Sequence, residues 1–126
     1  SLMGLSPTRW NVLSHLGRYA HFEEEAMRVL KLVGLDRAAQ RPVSEVAYGD
    51  KRMLEIAMAI LAEPSVLLLD EPLAGMGVAE DERMVELLLA LKPEHAMLLV
   101  EHDMDAVFTL ADCLTVMVNV LSVVKA

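Results

Sequence analysis

The sequence predicts an α/β fold in which helices cover a parallel β-sheet, with a helical segment ahead of that sheet. Two apolar runs, Val66–Leu69 and Ala96–Val100, have the length and aliphatic composition of strands buried in a parallel sheet. A stretch of helical length separates them, as the crossover between two parallel strands requires. Because Val66–Leu69 is expected to be buried on both faces, we expect its sheet to include neighbouring strands that lie outside this chain.

The part of the chain before the first strand is predicted to be helical. A rough apolar spacing predicts a helix within Leu5–Tyr19. A clearer helix is predicted over Phe22–Val33, which carries three glutamates in its first turn and an apolar stripe at helical spacing. Gly34 follows directly and is the residue expected to end this helix.

A short turn precedes the helix that leads into the first strand. Gly49 supplies a tight backbone turn, and Asp50 is the expected N-cap of a helix from about Lys51 to Ala62. A glycine turn that opens a helix presents free N–H groups that favour phosphate, although an ordinary capped helix has the same pattern. The residues expected on the buried face of this helix are Leu54, Ala57, Met58 and Leu61.

Strands and helices alternate in the rest of the chain. Pro72 lacks the N–H that a strand ladder needs, so the first strand is expected to stop there. The loop Leu73–Gly77 then leads to a helix over about Val78–Leu91, and Asp103 is the expected cap of a further helix after the second strand. The apolar stripes predicted for these two helices consist of Val85, Leu88 and Leu89 in the first and of Met104, Val107, Phe108 and Ala111 in the second. The last predicted elements are a third strand at Leu114–Val118 and a hairpin partner at Leu121–Val124.

Acidic residues follow both predicted strands at the point where each strand ends. Asp70 and Glu71 follow the first strand, and Glu101, His102 and Asp103 follow the second. Parallel strands place these groups on one edge, which is the edge where open α/β sheets bind ligands. Two adjacent carboxylates at an apolar rim repel each other, and a bound divalent cation would offset that cost. The alternative is a buried strand that happens to end in two acids.

The composition limits the classes of function. The chain of 126 residues carries a formal net charge of −8 and has no basic stripe, which argues against binding to nucleic acid or to anionic lipid. Its single cysteine, Cys113, excludes an internal disulfide and a cysteine-rich zinc site. No apolar run approaches the roughly 20 residues of a membrane helix, and no signal peptide is expected. Any contact with a membrane would therefore pass through a protein partner, without direct insertion.

Three stretches, in this order, resemble motifs of ABC transporter ATP-binding subunits, and within that family the subunits that drive branched-chain amino acid import. Val46–Ala57 is similar to the signature stretch of that class and keeps its Tyr-Gly pair and its Leu-Glu-Ile-Ala run. Leu68–Pro72 resembles the Walker B strand with its catalytic glutamate, and Leu73–Gly77 lies where the D-loop belongs. Val100–Val107 looks like the segment that carries the switch histidine. The resemblance covers most of the chain.

The resemblance implies a fold and a domain layout. The fold would be the second half of a P-loop NTPase-like core with an α-helical subdomain. Residues 1–45 would form the helical subdomain segment, residues 46–63 the signature loop and helix, and residues 64–126 a partial α/β nucleotide-hydrolase core. Within the first segment, Asn11–Arg41 would belong to the subdomain that docks onto the membrane subunits.

The resemblance also implies a role for each matching residue. Glu71 would be the general base that activates water, and His102 would contact the γ-phosphate of ATP. Asp70 would help to hold Mg²⁺ through water. The residues implied to face ATP held by the opposite subunit are Tyr48, Gly49 and Asp50. The residues implied to communicate across the dimer are Ala74, Gly75, Met76 and Gly77.

Cofactors, partners and location follow from the same resemblance. The complete protein would use ATP and Mg²⁺ to power solute import, with branched-chain amino acids as the expected solute. Its partners would be a second ATP-binding subunit, in a homodimer or a heterodimer, and integral membrane permease subunits. It would be cytoplasmic and peripheral to the inner membrane, which it would reach through the permease.

Several positions depart from the family pattern. No Gly-Lys pair occurs anywhere in the chain, so the phosphate-binding loop G-x-x-x-x-G-K-[ST] and its lysine are absent. Ala47 stands where the signature stretch has a serine, which removes a hydroxyl donor to the γ-phosphate. Gly77 stands where the D-loop usually closes with Asp or Asn. We therefore expect that the isolated chain does not hydrolyse ATP.

Two further functions remain open at this point. One is a degenerate or truncated non-catalytic interaction module that pairs with a complete ATPase subunit or a permease, which Ala47 and Gly77 favour. The other is an ABC ATPase outside transport, as in DNA repair or translation, against which the signature stretch and the acidic charge weigh. Binding to a permease without ATP dependence would identify the interaction module.

Overall fold

The structure, a computed structural model, describes residues 20–118, which fold into helices around a parallel sheet. In chain order the elements are α1 (helical throughout residues 20–32), two 3-10 turns (Asp36–Ala38 and Val43–Glu45), α2 (Tyr48–Leu61), β1 (Val66–Asp70), α3 (Val78–Leu91), β2 (Ala96–Val100) and α4 (Met104–Leu110). The helix predicted within Leu5–Tyr19 and the hairpin partner predicted at Leu121–Val124 lie outside the described residues. No helix within residues 20–118 combines the length and the apolar character needed to cross a bilayer.

The strands β1 and β2 pair in parallel, as predicted. Their register runs from Val66 opposite Ala96 to Asp70 opposite Val100. Helix α3 is the crossover between them, so the chain forms one β–α–β unit. Both strands therefore end at the same edge of the sheet, and the segments that follow them begin side by side.

The described part of the chain covers only one face of this sheet, so within residues 20–118 the predicted burial of β1 on both faces is wrong. Leu67 and Leu69 are buried, whereas Leu68 is 73% exposed and Leu98 is 62% exposed. The alternation follows from the two-residue period of a strand, which sends successive side chains to opposite faces. The described helices build a single core with Leu67 and Leu69, and the other face stays open.

No third strand is present within residues 20–118, so the strand predicted at Leu114–Val118 is wrong. The sheet has two strands, β1 and β2, and the segment after α4 pairs with neither. Its apolar side chains are exposed, from 45% at Leu114 to 85% at Val118. Strands depend on paired neighbours and a buried face for their stability, and an apolar sequence alone supplies neither.

The hydrophobic core lies between the helices and the covered face of the sheet. Its largest fully buried side chains are Met84 and Leu88 of α3 and Val29 of α1. Leu88 and Val29 are on their predicted buried faces, and Met84 was not predicted to be inward. The central position of α3 follows from its topology, because a crossover helix packs on the sheet that its two strands form.

Helices α2 and α4 bury faces that are rotated from the predicted ones. Helix α2 buries Met53, Ile56, Ala57 and Ile60. Of the residues predicted to be inward, Met58 is 65% exposed, and in α4 Phe108 is 68% exposed. Both helices carry apolar residues beside their buried stripe, so sequence periodicity defines several overlapping stripes and packing selects one of them.

Two predicted helix-end residues are confirmed. Gly34 ends α1 with a φ of +74°, which glycine adopts without steric cost. Its N–H donates to the Lys31 carbonyl, and the N–H of Leu35 donates to the Leu30 carbonyl at 2.7 Å, which is the Schellman arrangement. Asp103 caps α4, since its Oδ1 accepts a hydrogen bond of 3.1 Å from a backbone N–H of the first turn.

The prediction that Asp50 caps α2 is wrong. The helix begins at Tyr48, and Ala47 is the N-cap residue, without a side-chain hydrogen bond to the helix. Asp50 lies instead in the first turn, where a negative charge is favoured, and pairs with Arg83 of α3 at 3.2 Å. Alanine has no side-chain acceptor, so nothing in the local sequence marks this helix start.

Candidate functional site

Two side chains from separate segments, both predicted to act in hydrolysis, lie together at the carboxyl edge of the sheet. Nδ1 of His102 is 3.4 Å from Oε1 of Glu71. Both side chains reach solvent, with 51% of the Glu71 side chain and 77% of the His102 side chain exposed. The parallel register of β1 and β2 creates this contact, because it brings the residues that follow each strand to the same place. A small group at this edge can therefore contact a carboxylate and an imidazole at once.

The backbone of Glu71 is held from two sides. Its N–H donates to the carbonyl of Val100 at 2.8 Å, which extends the ladder beyond β1. Its carbonyl accepts a hydrogen bond of 2.8 Å from Nη2 of Arg52 on α2. The φ of Glu71 is +45°, a left-handed conformation that residues other than glycine rarely adopt. Such conformations cluster at functional sites, where the surrounding structure holds them in place.

Asp70 is the last residue of β1 and is exposed at the same edge. Within residues 20–118 no group of three or more His, Cys, Asp or Glu side chains could hold a metal ion directly. One exposed carboxylate beside a second one fits Mg²⁺, because this ion keeps several of its waters and is often held by one or two carboxylates. The residues at the edge therefore fit a water-mediated Mg²⁺ contact.

Glu101 is a buried carboxylate beneath the exposed pair, and its importance was not predicted from the sequence. Its side chain is 1% exposed. Oε1 accepts a hydrogen bond of 2.9 Å from the N–H of Leu73, and Oε2 accepts one of 3.1 Å from the N–H of His102. The sequence places an acid directly after β2, but only the folded arrangement shows that this acid turns inward.

The predicted signature segment contacts the predicted communication loop within the same chain. The hydroxyl of Tyr48 donates to the carbonyl of Ala74 at 3.2 Å. Gly75 has a φ of +76°, and a Cβ there would lie 3.3 Å from the Tyr48 ring. Glycine is therefore favoured at this position both by its backbone conformation and by the space that the ring occupies.

A second contact joins these two segments through the first turn of α3. Gly49 is buried, and a Cβ on it would lie 2.5 Å from the carboxyl group of Glu80. Oε2 of Glu80 accepts a hydrogen bond of 3.0 Å from the N–H of Gly77, the last residue of the loop. Met76 packs against the core and is partly buried. The structure therefore places the two predicted segments side by side.

Asp81, in the first turn of α3, lies close to three other acidic residues. Burial raises the pKa of the Asp81 carboxyl above its usual value, and the nearby negative charges of Asp103, Glu101 and Glu80 raise it further. Oδ1 of Asp81 is buried and has no hydrogen-bond partner among the described residues. The ionised carboxylate of Asp81 is therefore less favourable in the folded chain than in water, because one of its oxygens is buried without a partner and other negative charges lie nearby.

Comparisons with known proteins identify the family of this chain. The family model described as "ABC transporter" matches residues 4–74, and the chain belongs to that family. The resemblance predicted from the motifs is confirmed by relatives named as high-affinity branched-chain amino acid transport ATP-binding proteins. LivG of Escherichia coli (strain K12) is 40% identical over 96 residues, which cover 75% of this chain and 38% of LivG. BraF of Pseudomonas aeruginosa is 39% identical over 101 residues, which cover 75% of this chain and 40% of BraF.

Solved structures of the same class share the fold. The ADP conformation of MJ1267, an ATP-binding cassette of an ABC transporter, superposes with a TM-score of 0.65 at 28% identity and covers 71% of this chain and 35% of MJ1267. CbiO1 from Clostridium perfringens, part of the ABC transporter complex cbiONQ, gives a TM-score of 0.64 at 27% identity over 71% of this chain and 36% of cbiO1. These matches confirm the predicted α/β, P-loop NTPase-like fold class. The chain spans less than half the length of these curated relatives and solved chains.

Proposed function

We propose that this chain is part of an ATP-binding subunit that powers an ABC importer of branched-chain amino acids. The observation that supports the proposal is the 3.4 Å approach of His102 Nδ1 to Glu71 Oε1 at the carboxyl edge of a parallel sheet. A carboxylate that can orient and deprotonate a water, an imidazole that can contact the phosphate and an exposed Asp70 are groups that take part in hydrolysis of a phosphoanhydride when a phosphate-binding loop is also present. The similarity to LivG and BraF supports branched-chain amino acids as the solute.

Each residue at the edge has a role in this proposal. Glu71 orients the attacking water and accepts its proton, and His102 contacts the terminal phosphate that the water attacks. Asp70 accepts hydrogen bonds from waters in the shell of Mg²⁺. The ion, when bound, supplies positive charge against the phosphate oxygens. The hydrogen bonds from Arg52 and to Val100 fix the backbone of Glu71 and so limit the positions that its carboxylate can take.

The signature segment and the loop complete the proposal. Tyr48, Gly49 and Asp50 belong to the surface that faces ATP held by an opposite subunit. Tyr48 is 55% exposed, so its ring is accessible to such a partner, whereas Gly49 lies buried against Glu80. The loop Ala74–Gly77 communicates across the dimer, and its contacts with Tyr48 and Glu80 tie it to the signature segment of its own subunit.

The proposal also includes the domain layout and the partners. Residues 1–45 contribute to a helical subdomain that docks on permease subunits, residues 46–63 carry the signature loop and helix, and residues 64–126 contribute to the nucleotide-hydrolase core. The assembled protein would be a cytoplasmic subunit that is peripheral to the inner membrane. A second ATP-binding subunit, identical or different, supplies the opposite half of each ATP site.

Pairing with a complete ATP-binding subunit tests the proposal. The purified chain is mixed with E. coli LivG, and sedimentation is measured with and without MgATP. We expect a mixed dimer only when MgATP is present, because LivG would hold the nucleotide that Tyr48–Asp50 face. Tyr48→Ala should weaken pairing by about tenfold, equivalent to about 1.4 kcal/mol. Met58→Ala on the same helix, at a residue that is 65% exposed, is the matched control and should leave pairing unchanged.

A non-catalytic interaction module is the second candidate, and one structural observation favours it. Ala47 stands at the N-cap of α2 without any side-chain hydrogen bond, so the hydroxyl expected at this position of a signature segment is absent. Such a module would bind a branched-chain amino acid permease without nucleotide. Pairing with LivG that is equally strong with and without MgATP, or no pairing with LivG at all, would overturn the leading proposal.

A further inference from the structure

We propose that Glu101 is a positioning residue that holds the segment carrying Glu71 and the segment carrying His102 in one fixed arrangement. The inference rests on the proposed function, because it concerns how the two groups assigned to hydrolysis are kept together. It adds a residue that neither the motifs nor the relatives' names identify.

The two oxygens of Glu101 accept hydrogen bonds from two different segments. Oε1 accepts from the N–H of Leu73, two residues after Glu71, at 2.9 Å. Oε2 accepts from the N–H of His102 at 3.1 Å, and the N–H of Asp103 lies 3.5 Å from the same oxygen. One side chain thus bridges the loop after β1 and the loop after β2.

The Glu101 side chain that forms this bridge is almost completely buried. Only 1% of its side chain is exposed, although it lies at the rim of the sheet next to the exposed His102. A buried carboxylate loses its hydration, so it is unfavourable without compensating partners. Hydrogen bonds from backbone N–H groups to an ionised carboxylate are stronger than neutral ones and supply that compensation.

The imidazole of His102 lies between two carboxylates. Its Nδ1 is 3.4 Å from Oε1 of Glu71 and 3.9 Å from Oε2 of Glu101. Glu101 holds the His102 backbone from below, and Glu71 contacts the ring from the solvent side. Removal of the Glu101 carboxylate should therefore release the Leu73 and His102 backbones together and separate the Glu71 and His102 side chains.

A carboxylate is the side chain that this bridge requires. It offers two acceptor oxygens, so each of the two segments receives its own. Glutamine has nearly the same shape but only one acceptor oxygen, and its NH₂ group would face a backbone N–H. Glu101→Gln should therefore keep one of the two bonds and lose the other, while Glu101→Ala should lose both.

Amide hydrogen exchange of the full chain, measured by NMR without nucleotide, tests the inference. In Glu101→Ala the amides of Leu73 and His102 should exchange at least tenfold faster, while core amides such as that of Leu88 keep their rates. In Glu101→Gln one of the two amides should show this acceleration. The nuclear Overhauser contact between the His102 ring and the Glu71 side chain, expected in the unmodified chain, should weaken in both variants.

The control is Glu94→Gln, which removes a charge from an exposed turn before β2 and should change none of these signals. Unchanged exchange at both Leu73 and His102 in the Glu101 variants would overturn the inference. So would an equal acceleration at every amide, because that result would show a general loss of stability. If Glu101→Ala fails to fold, the isosteric Glu101→Gln decides alone. Failure of MgATP-dependent pairing with LivG would overturn the proposed function without changing this measurement.

Discussion

The guanidinium of Arg52 donates a hydrogen bond of 2.8 Å to the backbone carbonyl of Glu71. This bond links helix α2, which begins with the residues of the predicted signature segment, to the residue that we propose as the general base. It also fixes a backbone position with a left-handed φ. Helix α2 therefore positions Glu71 directly, in addition to contributing to the core.

Replacement of Arg52 by Met tests this link. Methionine keeps an apolar stem of similar length, so the variant chiefly loses the hydrogen bond, and we expect a loss of about 1.5 kcal/mol in the free energy of unfolding. The measurement is urea denaturation. The control is Glu55→Gln, which removes only the Arg52–Glu55 pair, whose Glu55 side chain is 61% exposed, and should cost under about 0.5 kcal/mol. Equal losses in the two variants would contradict this role of Arg52.

The isolated chain should not hydrolyse ATP in a manner that depends on Glu71. The sequence contains no Gly-Lys pair, so it lacks the backbone cradle and the lysine that hold the β- and γ-phosphates. The measurement is phosphate release by the purified chain and by Glu71→Gln. We expect the same background rate from both. A rate that falls in Glu71→Gln and is comparable to that of an intact cassette would show this prediction to be wrong.

Glu63→Gly should stabilise the fold. Glu63 follows the C-cap of α2, has a φ of +48° and donates its N–H to the Ile60 carbonyl, so it occupies the position where helices usually end in glycine. Relief of the left-handed strain should raise the free energy of unfolding by about 0.5–1 kcal/mol, after the greater flexibility of glycine in the unfolded chain is allowed for.

A glycine introduced inside a helix should change the free energy of unfolding in the opposite direction, and such a variant serves as the control for Glu63→Gly. Glu82 is exposed and lies inside α3, so Glu82→Gly should lower the free energy of unfolding by about 1 kcal/mol. Thermal denaturation of the two variants compares them directly. A lower melting temperature for Glu63→Gly than for the unmodified chain would mean that the left-handed backbone at residue 63 carries no strain.

Asp81→Asn should stabilise the chain at neutral pH but not in acid. The pKa of Asp81 is raised in the folded state, so the ionised carboxylate is less favourable there than in the unfolded chain. Above the raised pKa the Asp81 carboxyl is ionised in the folded chain, so the unmodified chain is destabilised by the full cost of that charge. Below the ordinary value of 3.8 the Asp81 carboxyl is neutral in both the folded and the unfolded chain, so the cost disappears. We expect a gain of about 0.5 kcal/mol at pH 7 that disappears as the pH falls through this window.

Urea denaturation at several pH values measures the effect of Asp81→Asn. The control is Glu82→Gln, which removes the same charge from an exposed neighbouring side chain of α3. A gain that is equal in the two variants would show that the effect comes from net charge and not from the environment of Asp81. A gain that persists unchanged in acid would contradict the assigned cause.

Sequence features predicted those helix ends and element bounds that depend on interactions between residues close together in the chain. The bounds of α3 and β2 match the prediction, because a glycine loop precedes the helix and Pro93 lies two residues after its end. Gly34 and Asp103 act at helix ends through bonds to their own neighbourhood. Prediction of the contact between Glu71 and His102 required one further assumption, that the two strands are parallel. The helical length of the segment between the strands supported this assumption.

Features that depend on long-range packing were not predictable in the same way. The buried faces of α2 and α4 depend on which helices and strands they meet, so Met58 and Phe108 were placed inward although both are exposed. The strand predicted at Leu114–Val118 had the right composition but finds no neighbour within the described residues. The inward turn of Glu101 depends on two backbone N–H groups, one of which lies 28 residues away along the chain.

One face of the two-stranded sheet is left uncovered by residues 20–118, and this apolar face should limit the solubility of the chain when it is expressed. Val66, Leu68, Leu98 and Val100 lie on it and are each more than half exposed. Full burial of a wholly exposed side chain of this kind gains about 1.5–3 kcal/mol, so covering the exposed parts of all four would release roughly 4–7 kcal/mol, near the lower end of the 5–15 kcal/mol that holds a typical domain together. We therefore expect most of the chain to enter inclusion bodies when it is expressed by itself. Co-expression with a polypeptide that seats on this sheet should shift the yield to the soluble fraction.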